Sequence, residues 1–424
     1  MMSGAGGMPP APRAVEMRAG GPAFTVFLGA LTALPPLAID MGLPGIPAIE
    51  ADLAGAAGRG ALTLSLFLAG FAVAPLVCGP LADRFGRRLT IMAGLFVLSL
   101  AAGACTIAQS FTLLLACRLL QGVAAGACVI LPLAIVRDLF DGSEARQHLS
   151  RISAVMGLAP MFAPVLGGWV MLMGGWRAIY GAQALCGALL LAVAFFGFTE
   201  TLPASRRRQL APKILAAGYA TVLRDRAFRG NTLVYAVTFA CMFSFISSAP
   251  AVLMGQLGLS PTVFALVFGL TSCGTLLGSL LSGWLNRRGV SGPALVDRSA
   301  IGMLVAALVL VVVVLTGVAN LWTIVAPVAA AIFCFGLLGP SSNHDALHGL
   351  PQVAGAASGV LRCLQMVLGA LASALVAWLA PLDQPLAVMA GLMAGAALAA
   401  MAVLVRLRLG ERRDQQSNLV RDMS

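Results

Sequence analysis

The chain has 424 residues, of which 59% are hydrophobic and 10% charged. So little polar surface cannot clothe a water-soluble domain, and lipid is the solvent that suits the composition. The net charge of +11 raises the question of nucleic acid, but the placement of the basic residues along the chain argues against it.

Residues 1–22 are rich in Gly, Ala, Pro and Met and read as a disordered cytoplasmic tail. No cleaved signal peptide is expected, because the apolar stretch behind the tail runs on into a full span. A membrane-crossing helix needs about 20 mostly apolar residues. Six such segments follow, at 23–43, 61–82, 90–108, 111–136, 148–172 and 177–198. The polar stretch 199–228 carries Arg206, Arg207, Arg208, Lys213, Arg224 and Arg226 and reads as a central cytoplasmic loop. Six more spans are expected at 229–252, 262–285, 299–318, 321–341, 353–380 and 384–405, and residues 406–424 form a second cytoplasmic tail. The expected fold is all-α and integral to the membrane, with twelve transmembrane helices in two six-helix bundles, 23–198 and 229–405. The runs are too long for a β-barrel and lack its two-residue alternation.

With the N-terminus inside, every lysine and arginine except Arg59, Arg118, Arg177 and Arg362 falls on one side of the membrane. This positive-inside pattern puts both termini in the cytoplasm. The nine cysteines lie in apolar spans without a CxxC pair and read as packing residues. With histidine only at 148, 344 and 348, no metal centre is expected. His344 and His348 flank Asp345 one helical turn apart, as either a metal pair or a solvated loop without a third ligand. No GxxxxGK[ST] motif is present, so no nucleotide is implied.

A few polar groups sit at membrane depth, where an unpartnered charge costs about 2.5–3.5 kcal/mol even on lenient scales. Asp40 lies near the outer end of span 1 and is the one clear acid within a span. It either takes and releases a proton or anchors the helix end in interfacial water. Arg118, at similar depth in span 4, is a partner for Asp40, a substrate contact or a clamp on backbone carbonyls. Gln121, on the same face as Arg118, donates to a carbonyl-bearing ligand or packs. In span 7, Tyr235, Phe239 and Phe243 recur every four residues, as a drug pocket wall or as ordinary packing. Arg362, inside span 11, reaches a cavity or snorkels to the cytoplasm. The pairs Gly122/Gly126, Gly274/Gly278 and Gly355/Gly359 have the spacing of closely packed helices. A membrane enzyme would show converging His, Ser or acidic groups at this depth, of which the sequence offers almost none.

The segment GPLADRFGRR (79–88) follows span 2, and GWLNRRG (283–289) follows span 8 as a weaker echo without the acid. Similar segments at equivalent places in two six-span halves are what a parallel repeat produces. Gly79, Leu81, Asp83, Arg84, Gly86, Arg87 and Arg88 match the loop 2–3 signature of the major facilitator superfamily, which the chain resembles over nearly its whole length. Asp40 in IDMGLPGIPAI resembles the end of span 1 in drug:proton antiporters, and Arg118 through Gly122 their span 4 signature. Gly157, Pro160, Pro164, Gly167 and Gly168 resemble the span 5 antiporter motif, with Ala163 where the broad motif has glycine. IVRDLF (135–140), GWRAIY (175–180) and ETLP (200–203) are similar to the Bcr/CflA drug-resistance subfamily, which includes chloramphenicol and florfenicol exporters.

The resemblance implies a major facilitator fold of two pseudo-repeats in the bacterial inner membrane, working as a monomer. It implies proton-coupled export of moderately hydrophobic antimicrobials such as phenicols or bicyclomycin-like compounds, with export or symport of an endogenous metabolite as the alternative. The partners are then small-molecule drugs, protons and the lipid bilayer, with no nucleic acid, no cofactor and no enzymatic step. Asp40 and Arg118 would couple protons, and with Gln121, Tyr235, Phe239 and Phe243 line the substrate cavity. The span 5 motif would bend between the halves and limit proton leak; a kinked packing helix is its plain reading. The cluster Gly79, Asp83, Arg84, Gly86, Arg87 and Arg88 would latch the cytoplasmic gate, with Arg84 and Arg88 as partners for Asp83 and Arg137–Asp138 as an extension; a topology signal alone is the plain reading here.

Overall fold

The computed structural model describes Met17, residues 19–207 and residues 212–422. Most of the tail expected at the N-terminus (1–16 and Arg18) and Arg208 of the central loop lie outside the described residues. Among the described residues the chain is helical throughout, with no strand. Numbered in chain order, the long helices are α1 (Pro22–Asp40), α2 (Leu62–Phe85), α3 (Arg87–Thr106) and α4 (Phe111–Leu139), then α5 (142–173) and α6 (176–197), which meet at a break. After the central segment come α7 (Arg226–Ala249), α8 (Pro261–Arg287), α9 (Gly292–Thr316), α10 (Leu321–Leu347), α11 (Ala354–Leu379) and α12 (Pro385–Asp422). The break between α5 and α6 falls at Gly174 and Gly175, where Gly175 takes φ 69°. Such a backbone conformation is open to glycine and strained for other residues.

Local chemistry explains most helix starts. Ser110, Asp225, Ser260 and Asn320 cap α4, α7, α8 and α10 by accepting hydrogen bonds from backbone N–H groups of the first turn. Several boundaries differ from the sequence reading, three of them in informative ways. First, α9 begins at Gly292, not 299, because Pro293 suits a first turn; the charges Asp297 and Arg298 had pushed the expected start inward. Second, the central loop contains a helix, Pro212–Arg224, in which apolar residues at 215, 219, 222 and 223 recur with helical spacing. Third, helix α12 continues past 405 to Asp422, since that stretch lacks proline and is rich in Arg and Leu.

Close backbone approach holds each half together, in matching places. A Cβ at Gly122 of α4 would fall on the Phe67 carbonyl of α2, and one at Gly70 on the Leu119 carbonyl. In the second half the same relation joins α8 and α10, with Gly278 against Phe333 and Gly336 against Thr275. Dispersion and close fit replace the hydrophobic effect between helices in lipid, so these crossings need small residues. The halves meet where α2 crosses α11 and α5 crosses α8. Ser65 Oγ donates to the Ala370 carbonyl at 2.8 Å, and Gly269 of α8 packs on the Met161 carbonyl. On the side of the Asp83 loop, the linker helix touches both halves: Tyr219 donates to the Leu76 carbonyl at 3.4 Å, and Gly218 packs near Ala356 of α11. The outer surface is apolar, with Leu172, Phe196, Leu315 and Trp378 among its exposed side chains, as lipid contact requires.

Candidate functional site

A cavity of about 220 Å³ lies between the halves, walled by α1, α2, α4 and α5 on one side and α7, α8, α10 and α11 on the other. Its lining is mainly apolar, with Phe71, Phe239, Phe243 and Phe268 as the aromatic part and Met156, Met242 and Met366 as the flexible part. Two charged residues enter it, Asp40 from the first half and Arg362 from the second.

Asp40 is the last residue of α1, not a residue one turn inside it as the span boundary at 43 had suggested. The helix closes there because Gly42, Pro44 and Gly45 turn the chain into a 3-10 segment (Leu43–Gly45) that leads to a short helix, Ile46–Asp52. Asp40 is 5% exposed, and among the described residues no Lys, Arg or His nitrogen stands within 4 Å of its carboxylate.

Arg118 does not pair with it. It is 1% exposed, and Nη1 donates to the Ala38 carbonyl at 3.0 Å and to Gln121 Oε1 at 2.6 Å, while Nε donates to the Thr63 carbonyl at 3.2 Å. Its guanidinium also lies over the Phe67 ring, 4.5 Å from the centroid. The Ala38 carbonyl belongs to the last turn of α1, whose carbonyls have no partner within the helix. Of the three roles open to Arg118, the structure shows the clamp on backbone carbonyls. Gln121 in turn donates to Gln183 Oε1 at 2.9 Å. Arg118, Gln121 and Tyr235, all expected in the cavity, lie outside its lining; Tyr235 stacks on Phe335 with centroids 5.6 Å apart. Phe239 and Phe243 do line it.

The span 5 residues divide by position. Gly157 and Pro160 line the cavity, and Pro164 is buried. Gly167 lies against the Met41 carbonyl, directly after Asp40, and Gly168 against Ala265 of α8. Both prolines stay within the continuous helix 142–173.

At the far end of α2, Asp83 pairs with Arg87 at 2.7 Å, not with Arg84 or Arg88. The two stand one turn apart across Gly86, which directs the longer Arg87 back over the acid. Arg87 Nε also meets Asp138 of α4 at 2.8 Å. Glu200, after α6, accepts from the backbone N–H groups of Arg87 (2.9 Å) and Arg88 (3.3 Å), so a carboxylate caps α3. A Cβ at Gly86, where φ is 99°, would collide with that carboxylate. Arg88 donates to the Phe195 carbonyl at 2.7 Å, and Arg84 lies over Phe85. Nothing lies within 4 Å of a Cβ placed on Gly79. His344 and His348 stand 5.3 Å apart by ring centroids, and no group of three metal-ligating side chains occurs among the described residues.

The sequence profile of the Major Facilitator Superfamily matches residues 27–373. The chain belongs to the major facilitator superfamily. It is 31% identical over 358 residues to "Uncharacterized MFS-type transporter YdgK" of Bacillus subtilis, covering 84% of this chain and 88% of that one. It is 32% identical over 249 residues to "Multidrug resistance protein MdtL" of Escherichia coli, covering 59% of this chain and 63% of that one, which is under two thirds of MdtL's length. Among solved structures it shares the fold of the POT family transporter PepTSo (TM-score 0.71, 14% identity, 93% of this chain and 99% of that one). The human organic anion transporter MFSD10 is similar in fold as well (TM-score 0.65, 19% identity, 91% of this chain and 100% of that one). This major facilitator chain is therefore a multi-pass membrane transporter of small molecules and not an enzyme.

Four contributors to the site were missed in the sequence. Gln183 was the lone amide in the run 178–199, and that isolation was its signal. Glu200 carried no local sign of its partner 113 residues away. Phe71 and Phe268 do not stand out in helices rich in apolar residues.

Proposed function

We propose that this major facilitator transporter is a drug:proton antiporter of the Bcr/CflA type. It exports moderately hydrophobic antimicrobials such as phenicols or bicyclomycin-like compounds across the bacterial inner membrane, with both termini in the cytoplasm. The observation that carries the reading is Asp40, a buried acid with no counter-ion among the described residues, in the wall of an aromatic cavity between the two halves. Such a carboxylate can exchange a proton with the cavity, and a compound occupying the same space competes with that exchange. The name of MdtL, at 32% identity, supports the cargo class.

In this scheme the compound enters from the cytoplasm or the inner leaflet, and a proton taken from outside at Asp40 resets the carrier. An inward field contributes about 2.3 kcal/mol per proton per 100 mV. No cofactor takes part. Arg118 serves by holding the end of α1, and with it Asp40, in place. The Asp83–Arg87–Asp138 cluster ties α2 to α4 on the cytoplasmic side and acts as the latch.

The test is Asp40→Asn in proteoliposomes with an imposed pH gradient and chloramphenicol as cargo. Uphill transport is expected to stop while energy-independent exchange of the compound persists. Uphill transport at the wild-type rate would remove Asp40 from the coupling step.

A further inference from the structure

The second charge in the cavity has no place in a simple proton exchanger. Arg362 lies in α11 between uncharged runs, is half-buried and lines the cavity. Nη1 donates to Gln365 Oε1 at 2.9 Å, and among the described residues no carboxylate lies within 4 Å of the guanidinium. A guanidinium has five N–H donors in a planar fork. One is committed to Gln365, and the others have no partner among the described residues.

The two charges stand at different heights. Arg118 bonds both Ala38 and Thr63, so the end of α1 is level with the start of α2. Ser65 bonds Ala370, so that level corresponds to Ala370 and beyond in α11. Arg362 precedes Ala370 by eight residues, which at about 1.5 Å per residue puts its backbone about 12 Å closer to the Asp83 end. Phe239, Phe243 and Phe268 line the same cavity.

We propose that the preferred cargo is an aromatic zwitterion, with a carboxylate held by Arg362, an ammonium held by Asp40 and a flat apolar body against the phenylalanines. This rests on the export reading of the cavity given above. With Asp40 ionised, the site carries one charge of each sign, and a zwitterion gives each of them a partner without adding net charge. A proton arriving at Asp40 removes the partner of the ammonium, so proton and cargo exclude each other. A planar fork and a carboxylate match two bonds to two, which sets Arg362 apart from a point charge.

Norfloxacin carries an ammonium and a carboxylate at opposite ends of a flat ring system. Its methyl ester keeps only the cation, and its N-acetyl derivative only the anion. Binding of the three is measured by fluorescence on the full chain in lipid nanodiscs. Wild type is expected to bind norfloxacin most tightly. Arg362→Gln should weaken norfloxacin and the N-acetyl derivative by about tenfold or more, the scale of a lost charge-assisted hydrogen bond. The ester should stay within about twofold, since it makes no such bond. Arg362→Lys should recover part of the loss. If wild type binds the ester as tightly as norfloxacin, or if Arg362→Gln weakens all three alike or none, the assignment is overturned. Uphill export of chloramphenicol is assayed separately. Its absence, with the norfloxacin pattern intact, would overturn the export reading and leave the binding assignment standing.

Discussion

The Arg118 guanidinium bonds the carbonyl of Ala38, two residues before Asp40, and leaves the Asp40 carboxylate untouched. The arginine therefore acts on the acid through the backbone. It holds the last turn of α1, and the acid stays open to the cavity.

This separates the two residues by experiment. Arg118→Ala leaves the Ala38 carbonyl and Gln121 Oε1 without their donor, at a cost of about 1–3 kcal/mol for each buried group. The variant should melt at a lower temperature in detergent and lose transport as well. Asp40→Asn breaks no side-chain hydrogen bond or ion pair among the described residues and should melt as wild type does. Equal thermal losses in the two variants would contradict this division.

Arg87 bridges Asp83 and Asp138, so its loss opens two pairs, while the loss of Asp83 opens one. Arg87→Met is expected to shift the balance of conformations further than Asp83→Asn. Distances between spin labels on α4 and α10, measured by pulsed EPR, give that balance directly. The reverse order of effects would show that Asp83 has a partner beyond Arg87.

Gln121 and Gln183 form a buried pair of amides. Replacing Gln183 alone by leucine strands the Gln121 amide and should cost about 1–3 kcal/mol, whereas replacing both should cost less than the sum. A double-mutant cycle on thermal stability measures the coupling, and additive losses would mean the bond contributes nothing.

Gly122→Ala drives a methyl group into the Phe67 carbonyl and should destabilise by about 1–3 kcal/mol. Gly355 has the same spacing to Gly359 that Gly122 has to Gly126, yet nothing lies within 4 Å of a Cβ there, so Gly355→Ala should be tolerated. Folded yield by fluorescence-detected size exclusion distinguishes the two.

Run length and hydropathy made the twelve helices legible, because lipid allows few alternatives to a long apolar helix. The linker helix and the end of α12 escaped because charge interrupts hydropathy without interrupting helix propensity. Asp40 and Arg362 stood out as isolated charges. The partners of Arg118 did not, since two of them are backbone carbonyls, which every residue has. Tyr235 was placed on the cavity face with Phe239 and Phe243 because they recur every four residues, but that period drifts around a helix of 3.6 residues per turn. Over two turns the drift takes Tyr235 off the cavity lining, while Phe239 and Phe243 remain on it.

The helix Pro212–Arg224 joins the two bundles in sequence and also rests on both of them, through Tyr219 on α2 and Gly218 beside α11. Any rocking that parts α2 from α11 at that end has to stretch or slide this strap. A strap of fixed length that grips both sides resists such a parting.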